Sequence, residues 1–152
     1  MTTLTASHTK DLINGTIRSI KQVLPIEIKI DKASLVKPPF YPNELGVLIG
    51  ITGSLNGQLL IDGTTQGIGK IGEKMYGMQL EGAMLESFFG ELGNMFAGNL
   101  ATSIASDSFK IDITPPTILV ETKKLSSFNQ GIKVPILEET SHLLNILFMI
   151  EG

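Results

Sequence analysis

The feature that most constrains the fold of this chain is the segment ESFFGELGNMFAGN, residues 86–99, which has strong helical periodicity. Three glycines interrupt it, and each costs about 1 kcal/mol relative to alanine inside a helix. Gly90, Gly93 and Gly98 must therefore meet a structural or functional requirement. Apolar residues around them recur at the spacing of one helix face, which is predicted to pack on a sheet. They are Leu85, Phe89, Leu92, Phe96 and Leu100.

The other side of this helix carries a polar stripe of four residues with the spacing i, i+4, i+7 and i+11: Ser87, Glu91, Asn94 and Gly98. A hydroxyl, a carboxylate and a carboxamide then project along one line, with the small residue Gly90 beside them. One interpretation is a solvated helix surface whose glycines let a neighbouring helix pack closely. The other is a bare surface that lets the backbone of a second protein approach while two polar side chains reach into it.

Two further helices are predicted from the same periodicity. The first covers residues 9–24, where Pro25 stops it, and the second covers residues 64–78 with Thr64 or Thr65 as its cap. The glycine-rich helix begins near residue 81 and runs to about residue 106.

Strand patterns account for most of the remaining chain. Residues 26–31 alternate apolar and charged side chains, and residues 45–63 predict a hairpin that turns at Asn56-Gly57 with positive φ at both. Four later segments are strand-like: residues 110–114, 117–125, 131–139 and 142–152. We therefore expect an α+β fold, mostly antiparallel sheet with amphipathic helices packed on one face, as a single domain over residues 1–152.

Composition excludes several classes of function. A net charge of −3 with 18% charged residues provides no basic surface for nucleic acid. Because there is no cysteine, disulfides, thiolate nucleophiles and thiolate metal sites are excluded. The chain has neither the start of a signal peptide nor an apolar stretch near 20 residues, so a cytoplasmic protein without membrane contact is expected.

The other candidate motifs predict only structural roles. His8 is expected in a frayed terminus and His142 in a turn, both as surface residues without companion metal ligands. The segment GTTQGIGKIG, residues 63–72, has neither a Walker pattern nor GxGxxG after a strand, so no phosphate cradle is expected. Five methionines are predicted to fill the core: Met75, Met78, Met84, Met95 and Met149.

The motif SFFGELGNMFAG, residues 87–98, resembles the signature of the CheC/CheX family of response-regulator phosphatases. That signature has Asp or Ser, three residues, Glu, two residues, Asn and then Gly, with a Pro-Thr or Pro-Ser pair further along the chain. The segment IDITPPTIL resembles the strand that follows in the family. Either Pro115 or Pro116 corresponds to the family proline, and Pro116-Thr117 is the better match.

The resemblance extends over most of the chain. DLINGTIRSIKQVL, residues 11–24, is similar to the first helix of the family, and GITGSLNGQLLIDG, residues 50–63, to its glycine-flanked hairpin. Glu-x-x-Asn occurs once here, whereas CheC carries it twice, so the resemblance is to the CheX branch.

The resemblance implies a phosphatase whose substrate is the phosphoaspartate of a CheY-like receiver domain. Asn94 would hold the attacking water, Glu91 would pair with a lysine of the receiver, and Ser87 would contact the partner at the edge. Gly90 and Gly98 would flank the docking surface. The chain would need no cofactor of its own, because the receiver carries the Mg²⁺.

The same surface allows two alternatives, a non-catalytic adaptor for a receiver or chemotaxis partner and a structural dimerisation module. A homodimer is also expected, because CheX-type proteins pair through sheet edges. The apolar segments GIKVPILEE and HLLNILFMI, residues 131–139 and 142–150, would invite such pairing if one of them formed an open edge.

Overall fold

A computed structural model describes residues 5–120 and 123–151 of the chain. Within these ranges, three helices cover one face of an eight-stranded antiparallel sheet. The helices are α1 (Ala6–Val23), α2 (Thr65–Tyr76) and α3 (Gly82–Ile104). The strands are β1 (Lys29–Ile30), β2 (Ser34–Val36), β3 (Leu45–Gly53), β4 (Gly57–Gly63), β5 (Ile111–Ile113), β6 (Thr117–Leu119), β7 (Gln130–Glu138) and β8 (Ser141–Ile150).

The sheet runs in the order β1-β7-β8-β4-β3-β5, with β2 also paired to β7 and β6 to β3. Its four long strands align a row of buried β-branched side chains across the helix-facing side: Val47, Ile61, Ile146 and Val134. Such residues pack well on a pleated surface because their χ1 angle is restricted. The row belongs to the core beneath the helices.

All three helices contribute to one hydrophobic core with this face of the sheet. Helix α3 lies against β3, β5 and β6, and α1 and α2 pack against α3 from either side. The opposite face holds a smaller apolar cluster that includes Leu60, Phe128 and Leu147. The predicted α+β architecture, with helices on one face, is therefore confirmed.

Helix α1 begins earlier than predicted because Thr5 caps it. The His8 backbone N–H donates to Thr5 Oγ1 at 3.1 Å, which satisfies one of the free amides of the first turn. The prediction that His8 lies in a frayed terminus is wrong, since its ring stacks on Phe109 with centroids 4.3 Å apart. Helix α2 is capped by Thr64, one of the two predicted candidates.

The predicted hairpin forms, but its turn differs from the expectation. Positive φ occurs at Gly53, and neither Asn56 nor Gly57 adopts it. Gly57 instead lies so close to Met149 O and the Ile150 backbone that a Cβ would collide with them. This glycine is therefore required by packing between strands rather than by turn geometry.

Several strand boundaries also differ. Only Lys29–Ile30 of the predicted strand 26–31 pairs, and β2 was not predicted. Strand β6 covers three residues of the predicted segment 117–125, of which residues 121 and 122 lie outside the described ranges. No helix in the described parts of the chain is long and apolar enough to span a membrane.

Neither β7 nor β8 forms an open edge, so the condition under which these two segments would invite pairing is not met. Strand β8 pairs with β4 on one side and β7 on the other, and β1 and β2 cover part of the outer side of β7. The sheet therefore ends in short strands, β1 and β2 at one end and β5 and β6 at the other. Short edge strands are one way in which proteins limit unwanted pairing.

The prediction that all five methionines fill the core is also wrong. Met149 is buried and Met75 is half-buried, but Met78, Met84 and Met95 are 52%, 58% and 49% exposed. The three exposed methionines lie in α3 or in the loop that precedes it.

Candidate functional site

The polar stripe lies on the solvent-facing side of α3, as its spacing predicted. The side chains of Ser87, Glu91 and Asn94 are exposed, and Gly98 is half-buried. At about 1.5 Å of rise per residue, Glu91 and Asn94 are separated by about 4.5 Å along the helix axis. A carboxylate and a carboxamide therefore stand one above the other in the middle of a 23-residue helix.

The three side chains of this stripe are free to engage another molecule. Across residues 5–120 and 123–151, none of Ser87, Glu91 and Asn94 makes a side-chain hydrogen bond or an ion pair. Exposed carboxylates and amides normally hydrogen-bond to water, which a partner can displace. The stripe is therefore accessible without rearrangement of the chain.

The opposite side of α3 anchors the helix rigidly. Every residue of its predicted apolar face is buried: Leu85, Phe89, Leu92, Phe96 and Leu100. That prediction is confirmed. A site on a helix held by such a face is positioned more precisely than one on a loop.

Two of the three α3 glycines face the sheet beneath the helix, and the buried, branched Val47 side chain requires glycine at position 93. A Cβ on Gly93 would lie 2.8 Å from Val47 Cγ1, and one on Gly90 would lie 2.7 Å from Ile118 Cδ1. Gly90 is also buried, so the prediction that it flanks the exposed stripe is wrong. These glycines admit neighbouring strands, whereas one of the two interpretations of the sequence had a neighbouring helix packing there.

Gly98 differs from both. A Cβ placed there would meet no atom within 4 Å, and the backbone carbonyl of Gly98 accepts a hydrogen bond from Thr102 Oγ1 at 3.1 Å. Nothing in the described parts of the chain therefore requires glycine at this position. The free-energy cost of glycine in a helix interior is therefore not explained by packing at position 98. It is consistent with a requirement set by contact with another molecule.

The stripe borders a groove of about 720 Å³ between α1 and α3. Asn94 and Gly98 form one side, and Arg18 and Gln22 of α1 form the other. Arg18 is held in place because its Nε donates to Ser103 Oγ at 3.0 Å. The sequence analysis missed Arg18, since its position beside the stripe depends on how α1 packs against α3.

The segment with the family proline lies next to the same helix. Pro115 and Pro116 precede β6, and Thr117 is its first residue, paired with Leu48. The following residue, Ile118, is the one that packs against Gly90. The two sequence features on which the family resemblance depends are therefore in contact in the fold.

A second polar cluster lies on the far side of the sheet, around the fully buried Asp62. Its Oδ2 accepts hydrogen bonds from the Asn43 backbone N–H at 2.7 Å and from Asn43 Nδ2 at 3.2 Å. Burial raises the pKa of Asp62. Hydrogen bonds from Asn43 and the Asn145 amide lower this pKa, as does the charge of His142, but they offset the effect of burial only in part. His142 is exposed, and its Nε2 lies 2.8 Å from Asn145 Oδ1.

No group of three or more acidic or histidine side chains that could hold a metal ion occurs in the parts of the chain that the structure describes. The stripe itself presents one carboxylate, one carboxamide and one hydroxyl. Together they can donate and accept hydrogen bonds and pair with one cation.

Comparison with known proteins agrees with this fold. Residues 45–136 match the family described as Chemotaxis phosphatase CheX. The CheY-P phosphatase CheX of Thermotoga maritima is 38% identical over 130 residues, which cover 82% of this chain and 83% of that protein.

Two solved structures extend the likeness to the fold. A CheC-like superfamily protein from Shewanella sp. PV-4 has a TM-score of 0.78 at 25% identity, over 93% of this chain and 98% of that one. The CheX-CheY-BeF3-Mg²⁺ complex from Borrelia burgdorferi contains a chain with a TM-score of 0.76 at 20% identity, over 95% of this chain and 97% of that one. At 20% identity the second likeness shows the fold alone.

A sheet with helices on one face, shared with the CheC-like structure and matched by the CheX family, places the chain in the class of CheC/CheX-type proteins. Within that class, the chain belongs to the chemotaxis phosphatase CheX family. The resemblance stated from the sequence is confirmed, and with it the enzyme class of a phosphatase.

Proposed function

We propose that this protein accelerates hydrolysis of the phosphoaspartate of a CheY-like receiver domain and that Asn94 is the group that positions the attacking water. The observation that carries the proposal is an exposed, unengaged carboxamide on a rigid helix, one turn from an exposed carboxylate, in a chain of the CheX family. The Thermotoga maritima relative, named a CheY-P phosphatase, supports the choice of substrate.

A carboxamide suits this role because it both accepts and donates hydrogen bonds without carrying charge. The Asn94 oxygen accepts a hydrogen bond from the water, which turns a lone pair of the water oxygen toward phosphorus. The amide nitrogen of Asn94 donates a hydrogen bond to a phosphoryl oxygen. A carboxylate at the same place would be repelled by the phosphoryl group. Orientation of this kind lowers the barrier mainly by removing the entropy cost of bringing water in line.

The reaction needs no nucleophile from this chain. The water oxygen forms a bond to phosphorus as the bond between phosphorus and the aspartate oxygen breaks. The products are the free aspartate of the receiver and inorganic phosphate. Because the phosphoryl group is on the partner, the site has to be a surface that docks, and α3 presents such a surface.

Glu91 and Ser87 serve docking in this proposal. Glu91 forms a charge-assisted hydrogen bond with a lysine of the receiver, which aligns the two proteins so that Asn94 reaches the phosphoryl group. Ser87, one turn earlier on the same face, hydrogen-bonds at the edge of the contact. Gly98, with open space above it, lets the receiver backbone come close to α3.

The Mg²⁺ that offsets the charge on the phosphoryl oxygens belongs to the receiver in this proposal. The Borrelia burgdorferi complex, which contains CheY, BeF3 and Mg²⁺, is consistent with that arrangement. The carboxylate of the stripe, Glu91, is assigned to the partner lysine rather than to a metal.

The test is a time course of phosphate loss from a phosphorylated receiver with wild-type protein, Asn94→Ala and the control Asn14→Ala. Asn14 is an exposed asparagine on α1 that does not line the groove beside the stripe. We expect Asn94→Ala to lower the rate by at least about 100-fold, as for loss of a well-placed catalytic group. Asn14→Ala should keep the wild-type rate.

Affinity for a receiver activated with beryllofluoride separates the remaining alternatives. Asn94→Ala should still bind the receiver, because docking depends on Glu91 and Ser87. A wild-type protein that binds the receiver without accelerating phosphate loss would be an adaptor. One that does neither would be a structural module, and an unchanged rate in Asn94→Ala would refute the role of Asn94.

A further inference from the structure

A second surface feature adjoins the polar stripe and is not explained by the chemistry above. It is an apolar cleft of about 260 Å³ at the start of α3, between that helix and the end of α2. The cleft is lined by Tyr76, Met78, Leu80, Met84 and Phe88, together with Ser87 and Glu91 of the stripe.

The floor of the cleft is rigid. Leu80 and Phe88 are buried, and Leu80 packs so closely against Gly72 that a Cβ there would lie 2.9 Å from Leu80 Cδ1. The ring of Phe88 meets that of Tyr76 edge to face, with centroids 5.7 Å apart. A cleft with such a floor is preformed, so a ligand that enters it loses little to reorganisation of the protein.

The rim, by contrast, is exposed. Tyr76, Met78 and Met84 are 55%, 52% and 58% accessible, although all three have large apolar surfaces. Exposed apolar side chains grouped around one cleft often mark a contact with another molecule. Methionine side chains are flexible and polarizable, which suits a surface that has to adapt to a partner.

The loop between the helices holds the rim in place. Gly77 ends α2 in the left-handed region with φ of 71°, and its N–H donates to Glu73 O at 2.8 Å. Gly82 opens α3 with φ of 56°. Two positive-φ glycines thus turn the chain sharply, which brings Met78 and Met84 to the same cleft.

We propose that this cleft receives an apolar side chain of the receiver domain and supplies affinity and partner selectivity for the phosphatase site. The inference rests on the proposed function, because Ser87 and Glu91 line both the cleft and the stripe. A receiver whose lysine pairs with Glu91 lies directly over the cleft. An apolar residue beside that lysine enters it, whereas a charged one would be desolvated without a partner.

The test compares Met78→Ser and Met84→Ser, singly and together, with wild-type protein and with Leu35→Ser. Leu35 is a matched control, because it is 78% exposed on β2 and distant in the fold from α3. Two quantities are measured: KM and kcat with the phosphorylated receiver, and affinity for the receiver activated with beryllofluoride. Both methionines are more than half exposed, so the variants should fold.

We expect the double variant to raise KM and the dissociation constant by about tenfold or more with kcat changed by less than about twofold. Met78→Leu with Met84→Leu, which keeps the apolar surface, should bind like wild type. Asn94→Ala should show the opposite pattern, a loss in kcat with affinity kept. A merely structural role of the methionines would not separate KM from kcat in this way.

Unchanged KM and affinity in the serine variants would overturn the cleft proposal and leave the phosphatase assignment intact. A drop in molecular mass in the serine variants, measured by light scattering, would also overturn it, since the cleft would then be an interface between copies of this chain. Failure of the proposed function would appear differently, as a wild-type protein that does not accelerate phosphate loss. The affinity measurement would still decide the cleft in that case.

Discussion

Gly98→Ala provides the sharpest test of whether the polar stripe is built for docking. An added methyl group at this position would meet no atom within 4 Å, so it creates no clash inside the chain. Alanine is preferred over glycine in a helix interior by about 1 kcal/mol. The variant should therefore be more stable by about 1 kcal/mol, which corresponds to roughly 2 to 4 °C in Tm for a chain of this size.

Gly93→Ala is the matched control on the same helix. It gains the same helix preference, but its Cβ would lie 2.8 Å from Val47 Cγ1 in the core beneath α3. Overpacking of a well-packed core costs about 1 to 3 kcal/mol, so the net change should lie between zero and about 2 kcal/mol of destabilisation. The two substitutions are chemically identical, and Gly93→Ala should be less stable than Gly98→Ala by about 1 to 3 kcal/mol.

Gly98→Ala should lower the phosphatase activity although it raises the stability. The methyl group stands one turn from Asn94 on the exposed side of α3, where it keeps the receiver backbone away from the helix. Because misplacement by about 1 Å can cost about 100-fold in rate, we expect kcat/KM to fall by about tenfold or more. The protein would then be more stable and less active.

Urea unfolding at fixed protein concentration measures the first effect, and receiver dephosphorylation measures the second. Gly98→Ala with wild-type activity would refute the argument that a bare backbone is needed at the stripe. Gly98→Ala without a gain in stability would refute the argument that the position is open.

Three other predictions concern distinct parts of the molecule. Glu91→Ala should weaken affinity for the activated receiver by roughly 30-fold or more, and Glu91→Lys should weaken it further through like charges. Titration calorimetry measures both, and wild-type affinity in Glu86→Ala on another face of α3 is the control. The pKa of Asp62 is raised in the folded protein, so the unfolded chain loses this proton at a lower pH than the folded chain does. The free energy of unfolding should therefore fall as the pH rises from the ordinary aspartate range through the raised pKa. Asp62→Asn should lack this decrease in urea unfolding compared between about pH 4 and pH 7, and an equal decrease in both proteins would contradict the assignment. We also propose a homodimer through the short strands at a sheet edge, so light scattering should return about twice 16.4 kDa. A monomer would remove that proposal without affecting the chemistry of Asn94.

The sequence by itself determined the helix that carries the site and which of its faces is buried. Leu85, Phe89 and Leu92 are buried while Glu91 and Asn94 are exposed, as the helical period predicted. These features are local, because a period of 3.6 residues and the chemistry of neighbouring side chains are written in a short stretch of chain. The family motif is local for the same reason.

The order of the strands was decided only by the tertiary structure. Strand β8 lies at the centre of the sheet between β4 and β7, and the short strands β1 and β2 cover part of β7. The sequence pattern of an apolar strand is the same at the centre and at the edge of a sheet, because the strands that pair with it come from distant parts of the chain. For this reason the sequence left open whether β7 or β8 forms an edge, and the fold shows that neither does.

The separate roles of the three α3 glycines also emerged only from the fold. Gly90 packs on Ile118, Gly93 packs on Val47, and Gly98 faces open space, whereas the sequence placed Gly90 with Gly98 beside the docking surface. The exposed methionines depend on the fold in the same way, since Met78 and Met84 meet only because the loop between α2 and α3 turns sharply. Helical periodicity states which side of a helix a residue occupies, but only the packing of strands and loops around α3 determines whether that side is covered, crowded or free.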